Sequence, residues 1–293
     1  MNNMNLILPS KISITKSIDG VIWQVIKAKD CSIDIDFNNV EFLPPDGIIM
    51  LITFSNFIYD MTGEKVNWKQ IQEKVYAYLE RMDIKVLPFI NIEMIQKKKR
   101  IVFYRSNRPS NSLVEMRVIK NAKQSSEVVR SIKGIIYNWF PERIGTADRY
   151  IRQIQQFIMH ISGNSLEHSS LDGTGICYFM LQKYEHTEGT CIYVTFGDTG
   201  IGIRNSLKTA NSWLKDNDAL AIKKAFFEGV SSRADHSGGL GFRSVREILS
   251  EYGGEIIIRS GMAAMRFSCN MREPEIIKFK QSLPGTQTLF TIL

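Results

Sequence analysis

Residues 236–254 read HSGGLGFRSVREILSEYGG, and the front of that stretch restricts what can surround it. Gly238, Gly239 and Gly241 stand directly against a segment whose apolar residues, Val245, Ile248 and Leu249, have helical spacing. Glycine costs a helix roughly 1 kcal/mol against alanine, so a cluster there marks backbone that bends sharply or is closely approached. The consecutive backbone N–H groups of Gly238 to Phe242, Leu240 among them, would open a helix whose dipole also favours an anion. Gly253 and Gly254 supply the C-terminal stop. A phosphorylated ligand is therefore expected at the glycines.

A second glycine cluster follows an apolar strand. CIYVTFGDTGIGI places Asp198 at the strand's end with Gly200 and Gly202 just beyond. A dinucleotide fingerprint needs glycines at positions one, three and six, and here the sixth is Asn205. No GxxxxGK[ST] phosphate loop occurs either. Asp198 reads either as a turn aspartate or as a carboxylate placed to accept from an exocyclic amine such as adenine N6.

RYIRQIQQFIMHISGNSLEHSS (residues 149–170) is a helix with two unlike faces. Ile151, Ile154, Ile158 and Ile161 share one side, with small Ser162 and Ser165 nearby. Gln153, Gln156, His160, Asn164 and Glu167 share the other. That stripe is either a wet face or, because Gly163-Asn164 are poor helix formers, the place of an oxygen ligand. Asn164 would suit a hard cation such as Mg²⁺.

Around these motifs the chain divides in two. SITKSI, VIWQVI and SIDIDF read as β-rich, Pro44 to Gly47 as a turn, 48–59 and 69–82 as helices, and VLPFI as a strand. Residues 1–95 thus form a small α/β domain, and 96–125 a basic and polar linker. Residues 126–293 open with helices at 126–139 and 147–169. Strands follow at 174–183, 190–197, 255–260, 263–269 and 286–293, with a polar excursion over 204–237.

In order, these pieces resemble the GHKL ATPase superfamily, which includes gyrase, histidine kinases and MutL. Asn164 matches the asparagine that binds Mg²⁺ in that family, and DTGIG (198–202) the box whose aspartate binds adenine. SGGLGF (237–242) matches the glycine box that holds the phosphates; Gly285-Thr286 matches the last box, whose threonine lies near adenine. The resemblance implies an α+β sandwich over 126–293, a mixed sheet covered by helices, with 204–237 as its ATP lid. It implies ATP and Mg²⁺ as cofactors, and members often form homodimers. In hydrolysing members a glutamate one turn before the Mg²⁺ asparagine acts as general base. His160 stands there instead, as a substitute base or a histidine that merely lines the pocket.

The chain ends one strand after Gly285-Thr286, where gyrase- and MutL-type members continue, and no HExRxP-like phospho-acceptor stretch precedes the ATPase part. The resemblance is therefore nearest to the anti-sigma-factor serine kinases. IDFNNVEFLPPDGIIMLI also resembles the STAS pattern of the partners those kinases phosphorylate, with Asp46 in place of the serine. An α/β chain with a STAS-like domain before a GHKL domain is the expectation. Its work would be to switch a protein partner, STAS-like or otherwise regulatory, by serine phosphorylation or slow hydrolysis. A non-catalytic ATP-gated interaction protein is one alternative.

The net charge of +7 and the Lys97–Arg100 cluster supply another, a nucleic-acid-directed ATPase. No aromatic residues interleave with that cluster as single-strand binders require, which favours a solvated run. The four cysteines form no CxxC pair, the N-terminus has no signal pattern, and no apolar run reaches about 18 residues. A cytoplasmic protein without a membrane span is expected.

Overall fold

The computed structural model describes residues 2–16, 18–27, 31–94, 113–139, 144–168, 175–186, 189–208, 217–231 and 240–292. The N-terminal unit alternates strand and helix: β1 (Asn2–Ile7), α1 (Asp19–Lys27), β2 (Cys31–Asp36), α2 (Pro45–Thr62), β3 (Val66–Ile71), α3 (Glu73–Arg81) and β4 (Ile90–Met94). Its four strands pair in parallel in the order of the chain. One face is apolar, with Leu6, Ile33, Ile35, Val66 and Trp68 buried. The alternate residues build a polar ladder, in which Asn3 and Asn67 donate to Asp34 at 2.6 and 2.8 Å and Asn91 donates to Asn67 at 2.9 Å.

The second unit begins with β5 (Leu113–Ile119), α4 (Ala122–Trp139) and α5 (Ile144–His168), then β6 (Cys177–His186) and β7 (Gly189–Gly197). Short helices α6 (Gly202–Lys208) and α7 (Asp218–Lys223) follow, with a π-helical turn at Lys224–Glu228. Then come α8 (Leu240–Tyr252), β8 (Glu255–Ser268) and β9 (Glu275–Ile292). The sheet runs β5-β6-β7-β9-β8, antiparallel at every pairing. The chain is a mixed α/β protein with one parallel and one antiparallel sheet.

Both faces of the antiparallel sheet are covered, and side-chain alternation sorts its residues between two cores. Phe179, Leu181, Ile192, Val194, Phe196, Ile258 and Phe290 pack with α4, α5 and α8. Their neighbours Tyr178, Met180, Tyr193, Ile257 and Leu289 pack with α2 and the parallel sheet. This explains α2, whose PDGIIMLITFSN is buried at every position. A helix apolar all round needs cover all round, and α2 has a sheet on each side. Trp68 of the parallel sheet donates to Ser55 of α2 at 3.0 Å. On the other side Ile49 and Thr53 stand where a Cβ on Gly197 would be.

Several sequence expectations are corrected. VIWQVI is helix α1, because Val21, Ile22 and Val25 bury one helical face while Trp23 and Ile26 stay exposed. SITKSI forms no strand among its described residues; a turn closes from Lys16 N–H to the Ser13 carbonyl. Residues 69–71 belong to β3, since Val66 and Trp68 alternate inward with Asn67 and Lys69 outward. VLPFI gives way to a 3₁₀ turn at Ile84–Val86, with β4 starting only at Ile90.

The range 96–125, expected as linker, carries β5 and the start of α4; Leu113, Val114, Met116 and Ile119 outweigh its charges by burial against β6. Its cluster Lys97–Arg100 lies outside the described residues. Residues 255–260 and 263–269 form one strand with a register shift at Ser260-Gly261, and its partner begins at Glu275 rather than 286. Of the 204–237 excursion, 204–208 and 217–231 are described, and Ala221, Ile222 and Phe226 there are fully buried. Among the described residues no helix is long and apolar enough to cross a membrane.

Candidate functional site

β7 ends at Gly197, and the chain turns through Asp198 before α6 starts at Gly202. Asp198 is 6% exposed, and its Oδ1 accepts the backbone N–H groups of Gly200 at 2.9 Å and Thr286 at 3.2 Å. Its own N–H donates to the Thr286 carbonyl at 3.0 Å, and the Gln287 amide donates to its carbonyl at 3.4 Å. The Ser165 hydroxyl of α5 also bonds the carboxylate. Burial pushes the carboxyl up to about 6, against the lowering pull of Gly200, Ser165 and Thr286. A carboxylate has about four lone-pair positions, so these three donors leave one for a ligand.

A cavity of about 110 Å³ opens beside this carboxylate. Ser165, Asp198, Thr286 and Thr288 form its polar side, and Ile161, Ile203, Leu207 and Phe242 its apolar side. Apolar walls with one acceptor at the base suit a flat ring bearing an amine. Asn164 stands exposed at the rim, on the same helix as Ser165. Among the described residues no group of three or more His, Cys, Asp or Glu is placed to hold a metal.

The glycines have structural reasons as well. Gly202 and Gly285 sit at φ +76° and +73°. A Cβ on Gly202 would lie 2.9 Å from Ser260 Oγ, and one on Gly285 would collide with the Asp198 carbonyl. Gly241, in the first turn of α8, lies against α5: a Cβ there would be 2.9 Å from His160 Cβ. Helix α5 itself thus comes close to this helix start. His160 is half-buried at that crossing, one turn from Asn164. Phe242 reaches the cavity and lies 5.6 Å from Phe226, ring centre to ring centre. Gly238 and Gly239 lie outside the described residues, as does the side chain of Leu240, the first residue of α8.

The structure therefore gathers Asn164, Asp198, Gly202, Phe242 and Thr286 around one cavity, with Gly200 bonded to Asp198 from the turn behind. The sequence motifs missed Ser165. It was grouped with the apolar face, yet its hydroxyl reaches both Asp198 and the Cys177 thiol, which burial pushes up to about 12. The turn is also touched by the N-terminal unit, where the Asn56 amide donates to Thr199 Oγ1 at 3.3 Å.

Residues 150–292 match the family model of the histidine kinase-, DNA gyrase B- and HSP90-like ATPases. Residues 150–292 form a GHKL ATPase domain. Such a domain implies ATP binding, and its span contains every element of the cavity. The chain also has a distant likeness in a solved structure, that of the SiaB–SiaC complex from Pseudomonas aeruginosa. That likeness has 12% identity and a TM-score of 0.33, over 62% of this chain and 90% of the other. At that level it carries neither activity nor partner across. No curated protein matches the chain.

Proposed function

We propose that this chain is an ATP- and Mg²⁺-binding regulatory protein that switches a protein partner, by serine phosphorylation of that partner or by slow hydrolysis. The observation that carries the nucleotide half is the buried Asp198 carboxylate, three-quarters satisfied and facing a mostly apolar cavity inside a GHKL domain. Asp198 accepts from adenine N6, with Gly200 and Gly202 shaping the turn and Thr286 fixing the carboxylate. Asn164 gives one oxygen to Mg²⁺. The phosphates lie toward the start of α8, across Gly238, Gly239, Leu240, Gly241 and Phe242, with the 204–237 segment as the lid.

The partner half rests on the N-terminal unit, which we read as STAS-like. Its Phe42–Gly47 stretch leads into α2, and the Asp46 carboxylate accepts the Ile14 N–H at 3.0 Å beneath the 11–16 segment. At 4% exposure that position is sealed, and its aspartate offers no hydroxyl to a kinase. The four cysteines form no disulfide, in keeping with a cytoplasmic setting.

A second reading, a non-catalytic ATP-gated interaction protein, is favoured by His160. A histidine half-buried between α5 and α8 has a packing role that requires no catalysis. Phosphate release and ATP affinity, measured together for wild type and His160→Ala, separate the two. Release lost with affinity kept makes His160 the base. Binding without release in wild type, and without phosphate transfer to any protein co-purified with it, supports the gated reading.

A further inference from the structure

Ser260 belongs to none of the motifs, yet its hydroxyl joins three segments of the site. It is 2% exposed, in β8 where pairing with β9 shifts register. Its oxygen accepts the Ile203 N–H at 2.9 Å and the Thr286 hydroxyl at 3.4 Å, and it donates to the Gly285 carbonyl at 3.2 Å. A serine hydroxyl has one donor and two acceptor positions, and all three are used. Two of those partners, Ile203 and Thr286, line the cavity, and the third, Gly285, abuts the Asp198 backbone. One oxygen thus ties the start of α6 to the strand that holds the Asp198 carboxylate.

The hub cannot slide to accommodate a ligand. The preceding residue, Arg259, points to the opposite sheet face and is fully buried there. Its Nη1 donates to the Lys16 carbonyl at 3.0 Å, and its guanidinium lies 3.8 Å over the Phe279 ring. The N-terminal unit therefore pins β8 from behind while Ser260 pins the cavity from the front.

We propose that Ser260 is a positioning residue for base selection: it holds Asp198 and Thr286 where an adenine amine is accepted and a guanine carbonyl is refused. The proposal rests on the ATP-binding reading and deepens it. Adenine offers a donor at its six-position, guanine an acceptor. An ionised carboxylate only accepts, so guanine set in adenine's pose, with its six-position carbonyl at Asp198, is refused while the carboxylate cannot turn away. Without the Ser260 hydroxyl, Gly285-Thr286 and the α6 start lose their common tie, and Asp198 gains room to yield.

The test is Ser260→Ala in the full chain, with ATP and GTP affinities by calorimetry and a melting curve without nucleotide. ATP binding should weaken about tenfold and GTP binding by less than about twofold, with the melting temperature lowered by only a few degrees. The fall in ATP-over-GTP preference is the decisive readout, because general loosening weakens both nucleotides alike. An unchanged preference, with affinities kept or lost together, overturns the proposal. Ser260→Cys, close in size but a weaker hydrogen-bonding group, should give an intermediate preference and serves if the alanine variant does not fold. A wild type that binds neither nucleotide defeats the ATP reading itself, an outcome distinct from an unchanged preference.

Discussion

Thr286 and Asp198 hold each other reciprocally: the Thr286 N–H donates to Asp198 Oδ1 at 3.2 Å, and the Asp198 N–H donates to the Thr286 carbonyl at 3.0 Å. The first bond orients the carboxylate and the second is a rung of the β7–β9 pairing extended by one residue. Orientation of the proposed base acceptor is thus built into the sheet. Asp198 gives the first of four measurable predictions, and contacts elsewhere in the fold give the other three.

Asp198→Asn should stabilise the nucleotide-free protein at neutral pH. Burial pushes the folded carboxyl up to about 6 from its ordinary 3.8, so the folded state binds the proton more tightly. The stability contribution of this group is full below about pH 4 and lost as pH rises through about 6, at a cost of roughly 3 kcal/mol when ionised. Asparagine keeps an oxygen for Gly200 and Thr286 without the charge. Melting curves at pH 5 and 7.5 should show the variant's advantage only at the higher pH.

Asp34 should behave with the opposite sign. Burial raises its carboxyl, but the hydrogen bonds from Asn3, Lys69 and Asn67 prevail and hold it below 3.8. Its stabilisation is therefore present above pH 3.8 and lost as pH falls through the lower folded value. Acid titration of wild type and Asp34→Asn, followed by circular dichroism, should show the two converging as pH drops; a constant gap contradicts the ladder's role.

Gly241→Ala should destabilise by about 1–3 kcal/mol through overpacking at the α5–α8 crossing. Because the contact is His160 Cβ, His160→Ala should not rescue it, whereas His160→Gly should recover part of the loss. Chemical denaturation of the single and double variants decides this.

Gly197→Ala should separate α2 from β7, since the new methyl meets Ile49 Cγ2 and Thr53 Cγ2. A loss of about 1–3 kcal/mol is expected, with partial recovery in Gly197→Ala/Ile49→Ala measured by a double-mutant cycle. Strict additivity would mean that the two side chains do not meet.

The GHKL half was legible because its chemistry is carried by glycines and single polar residues at element ends, which leave a mark on one-dimensional sequence. DTGIG falls at a strand-to-helix junction and LGF opens α8, while Gly163-Asn164 are poor helix formers set inside the unbroken helix α5. VIWQVI was misread because β-branched residues favour strands locally while burial of Val21, Ile22 and Val25 rewards a helix. Nothing in IIMLITF announces that two sheets sandwich it, since that depends on partners distant in the chain. Ser260 was invisible for a related reason: a lone serine in a strand acquires its role from Ile203, Gly285 and Thr286, which only the folded sheet brings together.

The most direct test of the account is calorimetric titration of ATP with Mg²⁺ into wild type and Asp198→Asn at pH 7.5. Saturable binding by wild type, weakened at least about a hundredfold in a variant that remains folded, is the predicted result. Equal binding by the two proteins would contradict Asp198 as the adenine acceptor and with it the assignment of the cavity.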